Sequence, residues 1–128
     1  MVMNIGGKPQ KLALAVDLQT SDTFLVTKHC SEGTSKDICK PVTALDTNDA
    51  TDIIPTNNSI QRDVTLNNFL YSVIDYKTQF CFPDQTVPAN CVPQMPFLGI
   101  TRINTPISGY DGMLGLGPKS SFLTNLAA

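Results

Sequence analysis

Frequent prolines and glycines constrain the fold of this chain more than any other feature of its sequence. Nine prolines and eight glycines are spread over 128 residues, and threonine and asparagine are common between them. The uninterrupted stretches are short and rich in residues that favour strands, such as Thr-Phe-Leu-Val-Thr at 23–27. Because long helices cannot form in such a pattern, the sequence predicts a mostly β domain.

The β-prone runs can be placed along the chain. Single strands are predicted at 1–5, 11–17, 23–27, 95–103 and 113–116. In the second of these strands, Leu12, Leu14 and Val16 share one face, with alanines between them. That alternation is typical of a strand.

Two further runs, 59–66 and 69–82, are predicted to pair as a hairpin with Asn67-Asn68 at the turn. The polar region 28–59 is expected to be irregular, with a short strand at most between 41 and 52. The tail 119–128 is the one predicted helix, because its apolar residues have helical spacing and Ser120 or Ser121 can cap it.

Size and charge limit the possible functions. A chain of this length forms one domain with one core, so we treat 1–128 as a single domain. The net charge of −2, without any basic run, gives no reason to expect nucleic acid as a partner. The apolar stretch Leu12–Val16 is far too short to cross a bilayer, so no membrane partner is expected.

The four cysteines favour disulfides over a metal site. Their spacing does not fit a zinc site built on close cysteine pairs, and His29 is the single histidine. Three pairings are possible; the two local ones, Cys30–Cys39 and Cys81–Cys91, are the economical choice. Free buried thiols are the alternative.

Disulfides imply an oxidising compartment. We therefore expect a secreted or lumenal protein, in an extracellular, vacuolar or lysosomal location. The triplet Asn57-Asn58-Ser59 matches the acceptor sequence for N-glycosylation, which agrees with such a compartment.

Motifs near the two ends of the chain occur in a fixed order. Residues 5–10 read Ile-Gly-Gly-Lys-Pro-Gln, Asp17 is followed by Leu-Gln-Thr-Ser, and 110–117 read Tyr-Asp-Gly-Met-Leu-Gly-Leu-Gly. This order resembles one lobe of a pepsin-like aspartic protease, in which an Ile-Gly-Thr-Pro-x-Gln turn and a strand lead to Asp-Thr-Gly-Ser-Ser. A short disulfide loop follows in many members, and 30–39 occupies that place. The resemblance covers 4–30 and 97–126 most strongly.

The resemblance implies a fold and a site. The fold would be an all-β, pepsin-like acid-protease lobe, with closed or orthogonal barrel-like sheets and one short C-terminal helix. In this family two aspartates, one per lobe, share a proton and activate a water for attack on a peptide bond, and we expect no cofactor. Carried over, Asp17 is the candidate catalytic residue, Thr20 (or Ser21) hydrogen-bonds it, and Tyr71 is the candidate substrate-binding residue. Gly115 would pack against the Asp17 loop, where a side chain would collide.

Three departures from the family pattern predict lost or impaired catalysis. Leu18 and Gln19 replace the family's Thr and Gly, and a glutamine there should splay the loop or push away a facing lobe; a displacement of about 1 Å can cost about 100-fold in rate. The glycine-rich flap motif has no counterpart between Thr65 and Asp75. The second lobe, with its own aspartate, is missing. We therefore expect a pseudoprotease that binds a peptide or protein ligand.

Three alternatives stay open. Two copies could form an active aspartic endopeptidase, with one Asp17 from each lobe across a twofold axis. The chain could instead be one half of a two-chain protease whose second lobe is separate. A purely structural role, as a secreted antigen or coat component, is the alternative from a different class.

Overall fold

The computed structural model describes residues 2–33, 36–41, 43–66, 69–82, 91–104, 107–108, 110–120 and 122–124. Most of this part of the chain is in strands, so the predicted mostly β class is confirmed. The strands are β1 (Val2–Ile5), β2 (Gln10–Asp17), β3 (Phe24–Val26), β4 (Cys39–Lys40), β5 (Ile54–Pro55), β6 (Gln61–Leu66), β7 (Phe69–Cys81), β8 (Cys91–Ile103), β9 (Ile107–Ser108) and β10 (Gly112–Gly115).

Six of these strands close into a barrel. β1 pairs antiparallel with β2, β2 parallel with β10, β10 antiparallel with β3, β3 parallel with β8, and β8 antiparallel with β7. β7 then returns to β1 through the pairs Asn4–Cys81 and Ile5–Phe80, which completes the ring. The closed barrel that we expected is therefore confirmed, while membership of the pepsin-like family stays a prediction.

The length of β7 makes this closure possible. One edge of this 13-residue strand pairs in turn with β6, β5 and β1, and the other edge pairs with β8. The register between β7 and β8 shifts at Ser72/Val73 and again at Thr78/Phe80. Such shifts bend a strand and increase its twist. Because it is bent, β7 can pair with β6 near its start and with β1 near its end.

Apolar side chains form two cores, one on each face of the barrel wall. Every barrel strand contributes to the first, so it fills the interior; its fully buried members include Met3, Ile5, Leu12, Leu25, Phe80, Met95 and Leu114. The second lies against the opposite face of β3, β7 and β8 and includes Phe24, Val26, Tyr71, Val73 and Ile100. β3 serves both cores because successive side chains of a strand point to opposite faces.

The hairpin was predicted correctly. β6 pairs with β7 from Leu66–Phe69 to Gln61–Ile74, while its turn residues Asn67 and Asn68 lie outside the described residues. In β2, Leu12 and Leu14 are buried, while Val16, near the end of the strand, is 45% exposed.

The expectation of a single helix is wrong. Residues 28–59 hold a four-residue helix, α1 (Lys28–Ser31), and a 3-10 turn at Asn57–Ser59. At the C-terminal end, residues 122–124 are helical. The Ser120 hydroxyl accepts the Leu123 N–H, as expected of a cap. The alternative cap Ser121 and the last four residues of the predicted helix lie outside the described residues.

Both disulfides are the local pairs. Cys30 is bonded to Cys39 and Cys81 to Cys91, which leaves no free cysteine. Disulfides of this kind indicate an oxidising environment, secreted or lumenal. Residues 83–90, which lie between the two cysteines of the second bond, are outside the described residues. No helix in the described ranges is long and apolar enough to cross a bilayer.

Removing the second disulfide should weaken the fold measurably. We expect the double variant Cys81→Ala/Cys91→Ala to lose about 2–3 kcal/mol in free energy of unfolding, because closing a loop of about ten residues restricts the unfolded chain. Urea denaturation followed by circular dichroism measures this loss, with the oxidised wild-type protein as the comparison. An unchanged unfolding midpoint would contradict the expectation.

Candidate functional site around Asp17

The loop that follows Asp17 crosses over the end of strand β10. β2 ends at Asp17 and β3 begins at Phe24, yet β10 lies between these two strands and pairs with both. Asp17 stands opposite Gly115 in the parallel register of β2 and β10. The Leu116 N–H donates to the Asp17 carbonyl at 2.8 Å, and the Gly117 N–H donates to the Thr20 carbonyl at 2.9 Å. These bonds hold the loop 18–23 against the strand that it crosses.

Gly115 allows the loop and β10 to approach closely. A Cβ at this position would lie 2.4 Å from the carbonyl oxygen of Asp22 and 2.7 Å from that of Thr20, far inside ordinary contact. The Gly115 N–H donates to the Thr23 hydroxyl at 3.2 Å, and its carbonyl accepts from the Ser120 hydroxyl. The predicted close-packing role of Gly115 is therefore confirmed.

Two donors from its own loop hold the Asp17 carboxylate. The backbone N–H of Gln19 donates to Oδ1 at 2.8 Å, and the Thr20 hydroxyl donates to Oδ2 at 2.9 Å. Both bonds favour the charged form, so they lower the pKa of Asp17, the Gln19 N–H most and the Thr20 hydroxyl next. Of the two hydroxyls considered from the sequence, Thr20 is the one that bonds the carboxylate. Asp17 is therefore an anion at neutral pH.

The side chains that replace the family's small residues face solvent. Leu18 is 71% exposed, and Gln19 is also exposed. We expected that a glutamine here would splay the loop or displace a facing lobe. The loop is not splayed, because its hydrogen bonds to Leu116 and Gly117 remain in place. The Gln19 side chain therefore leaves its own loop intact and would contact only another molecule or lobe that faces this surface.

The site has one acid rather than a pair. In the described part of the chain, no second acidic side chain hydrogen-bonds to Asp17, and its pKa is set by groups of its own loop. No group of three metal-binding side chains occurs among the same residues. The arrangement therefore presents a single, half-buried carboxylate on a fixed loop.

Tyr71 lies in the second core and not on the open surface. It is 8% exposed, and its ring centroid is 6.2 Å from that of Phe24. Burial, and then the neighbouring Tyr110, raise the pKa of Tyr71. Its predicted role in binding a substrate stays a prediction.

An apolar recess lies close to Asp17. It is small, with a cavity volume of about 20 Å³, and is lined by Phe24, Val26, Tyr71, Ile100, Tyr110, Gly112 and Met113. Met113 pairs with Ala15, two residues before Asp17. Two residues along a strand span about 7 Å. The recess and the carboxylate are therefore near enough for one extended peptide to contact both.

Two other aspartates accept hydrogen bonds from backbone N–H groups in and around β2, the strand that carries Asp17. Asp111 is 2% exposed, and its carboxylate accepts the N–H groups of Ala13 at 2.8 Å and Thr43 at 2.7 Å. Asp52 was not singled out at all, yet it accepts the N–H groups of Gly7 and Lys8 and so fixes the turn before β2. These partners are distant in sequence, so no local pattern could have shown them.

Replacing Thr20 with valine should raise the pKa of Asp17. The substitution removes one of two donors to the carboxylate while keeping the shape of the side chain, so the pKa moves back toward the ordinary value of about 3.9. NMR titration of the Asp17 carboxyl carbon measures the change. Ser21→Ala is the matched control and should leave the titration unchanged.

The Thr20→Val variant should also be less stable than the wild-type protein, by an amount that depends on pH. A carboxylate whose pKa is lowered by folding stabilises the protein above its unfolded pKa and loses that effect as the pH falls through the folded value. The stability lost in Thr20→Val should therefore be largest at neutral pH and should shrink below about pH 4. A loss that grows on acidification would contradict the assignment of this hydrogen bond.

Comparison of the sequence with protein-family models and with curated proteins found no match. The interpretation of the site therefore rests on its own geometry and on the motifs at the two ends of the chain.

Proposed function

We propose that this chain is a divergent pepsin-like lobe that binds a peptide or protein and does not hydrolyse it alone. The observation that carries the proposal is the single carboxylate of Asp17, held by Gln19 and Thr20 with a lowered pKa. Hydrolysis by this family's chemistry needs two carboxyls that share one proton, so that one stays protonated beside the other. A lone carboxylate with a lowered pKa can accept a proton but has none to donate.

Binding is supported by the surface beside the carboxylate. The recess between Phe24, Tyr71 and Tyr110 is aromatic and apolar, so an apolar side chain of a peptide can lie against its mouth. The half-buried Asp17 carboxylate retains acceptor capacity beyond its two bonds and can receive a peptide N–H. An extended peptide would therefore lay one apolar side chain against the recess and place one backbone amide at Asp17.

A cleavage assay tests the missing activity. The purified chain is incubated with denatured haemoglobin between about pH 3 and 5, the range in which such carboxyl pairs act. We expect no cleavage above background. Pepstatin-sensitive cleavage that disappears in Asp17→Asn would contradict the proposal.

A binding assay tests the recess. Isothermal titration with pepstatin, a peptide with apolar side chains, should show binding, and Tyr110→Ala should weaken it by about tenfold, equal to about 1.4 kcal/mol. Ile60→Ala is the control, because Ile60 is 53% exposed but does not line the recess. The absence of binding in the wild-type protein would favour the purely structural alternative.

One observation favours an active homodimer as the second candidate. Val16 and Leu18, on either side of Asp17 in the chain, are 45% and 71% exposed. A second copy could cover these apolar side chains while bringing its own Asp17 to the first. Sedimentation velocity at micromolar concentration decides between the candidates, since a monomer has no carboxyl pair. A dimer that Leu18→Asp dissociates, with pepstatin-sensitive activity that rises with concentration, would favour the second. Mass spectrometry of native material tests for a separate second half.

A further inference from the structure

The turn between β5 and β6 stands out from the sheet. Asn57, Asn58 and Ser59 are all exposed, and their φ angles of 52°, 56° and 59° form a left-handed turn. Its backbone is held by local bonds, from the Ser59 N–H to the Thr56 carbonyl at 3.2 Å and from the Ile60 N–H to the Asn57 carbonyl at 3.1 Å. The turn is therefore closed by its own backbone, and a group attached to its exposed side chains would not disturb the barrel pairing.

The same three residues form an acceptor sequence for N-glycosylation. The reaction needs an asparagine, then any residue except proline, then a serine or threonine. This triplet is the one place in the chain where that pattern occurs. The two disulfides indicate an oxidising, secreted or lumenal environment, where N-glycans are added. We propose that Asn57 carries an N-linked glycan.

Attachment of the glycan would transfer an oligosaccharide to the Asn57 side chain. The Asn57 amide nitrogen attacks the anomeric carbon of an oligosaccharide activated as a lipid-linked pyrophosphate. A carbon–nitrogen bond forms, the bond from the anomeric carbon to the pyrophosphate oxygen breaks, and the amide loses one proton. The lipid pyrophosphate is the leaving group, so no oxidant or reductant is required.

The surroundings of Asn57 can accept the modification. Asp75, on the neighbouring strand β7, receives two bonds from Arg62 at 3.0 and 2.9 Å. An asparagine amide has two hydrogens, and glycosylation replaces only one of them. The two bonds of Arg62 to Asp75 do not involve Asn57, so this ion pair would remain intact.

A glycan here would also cover a vulnerable surface. β6 pairs with β7 along one edge, and no described strand pairs with its other edge. Ile60, next to the turn, is 53% exposed. Open strand edges invite pairing with other chains, and bulky polar groups nearby oppose it. The glycan would therefore protect the start of β6.

Secretion from a eukaryotic host followed by intact-mass measurement tests the proposal. The wild-type chain should be heavier by one glycan. Peptide:N-glycosidase should remove that mass and convert residue 57 to aspartate. Asn57→Gln and Ser59→Ala should each abolish the added mass, while Ser59→Thr should keep it.

Asn58→Gln is the matched control, because it changes the neighbouring amide but keeps the acceptor pattern, and it should stay glycosylated. A wild-type chain and a Ser59→Thr variant that are both secreted without a glycan would overturn the proposal. Added mass that persists in Asn57→Gln would overturn it as well.

Discussion

Replacing Gly115 with alanine is expected to destabilise the protein by about 3 kcal/mol. The new Cβ would lie 2.4 Å from the Asp22 carbonyl oxygen and 2.7 Å from that of Thr20. Both atoms belong to the backbone of the loop that carries the candidate site, so relief requires the loop to move away from β10. That movement would strain the hydrogen bond from Gly117 to Thr20. Urea denaturation followed by circular dichroism measures the loss.

Gly7→Ala is the matched control for this prediction. A Cβ at Gly7 would meet the Asp52 side-chain oxygen at 3.2 Å, and a side chain can shift where a backbone cannot. We expect this variant to lose less than about 1 kcal/mol. Equal stability of the two variants would show that the loop does not pack on Gly115 as described.

Replacing Phe80 with alanine is expected to cost about 3–5 kcal/mol. Phe80 is fully buried, pairs with Ile5 at the closing edge of the barrel, and lies with its ring centroid 5.7 Å from that of Phe97. The substitution leaves a cavity where β7 meets β1, so it weakens the pairing that completes the ring. Thermal and urea unfolding both measure the effect.

Two controls separate this cavity effect from a general loss of apolar surface. Phe80→Leu keeps most of the volume and should cost less than about 1.5 kcal/mol. Phe69→Ala removes the same ring from a position on the same strand that is 44% exposed, and should be close to neutral. If Phe80→Ala were no more destabilising than Phe69→Ala, the barrel would not close through Phe80.

The sequence predicted the local elements of the fold well. The hairpin of β6 and β7 is joined by a short turn, so adjacent runs of β-prone residues were enough to pair them. The bond from Thr20 to Asp17 spans three residues and was predicted from the resemblance. The Gly115 contact was predicted from the resemblance, because a glycine in that place implies a close backbone approach.

Features that join distant segments could not be predicted. The closed barrel was expected from the resemblance, but the pairing of β1 with β7 that closes it depends on the bend of a long strand, which the residue pattern does not show. The exposure of Gln19 depends on whether anything faces the loop, and a single chain cannot show that. The contact between Tyr71 and Phe24 joins β7 to β3, and the residue pattern does not show it. In each case the outcome is set by packing partners far away in the sequence.

The central claim is that Asp17 acts as a solitary carboxylate, and NMR titration of its carboxyl carbon tests this most directly. The account predicts one titration with a pKa below the ordinary value of about 3.9, unchanged between micromolar and millimolar protein. A raised pKa, or a titration in two steps that appears as the concentration increases, would show a second acid sharing the proton. That result would contradict the account.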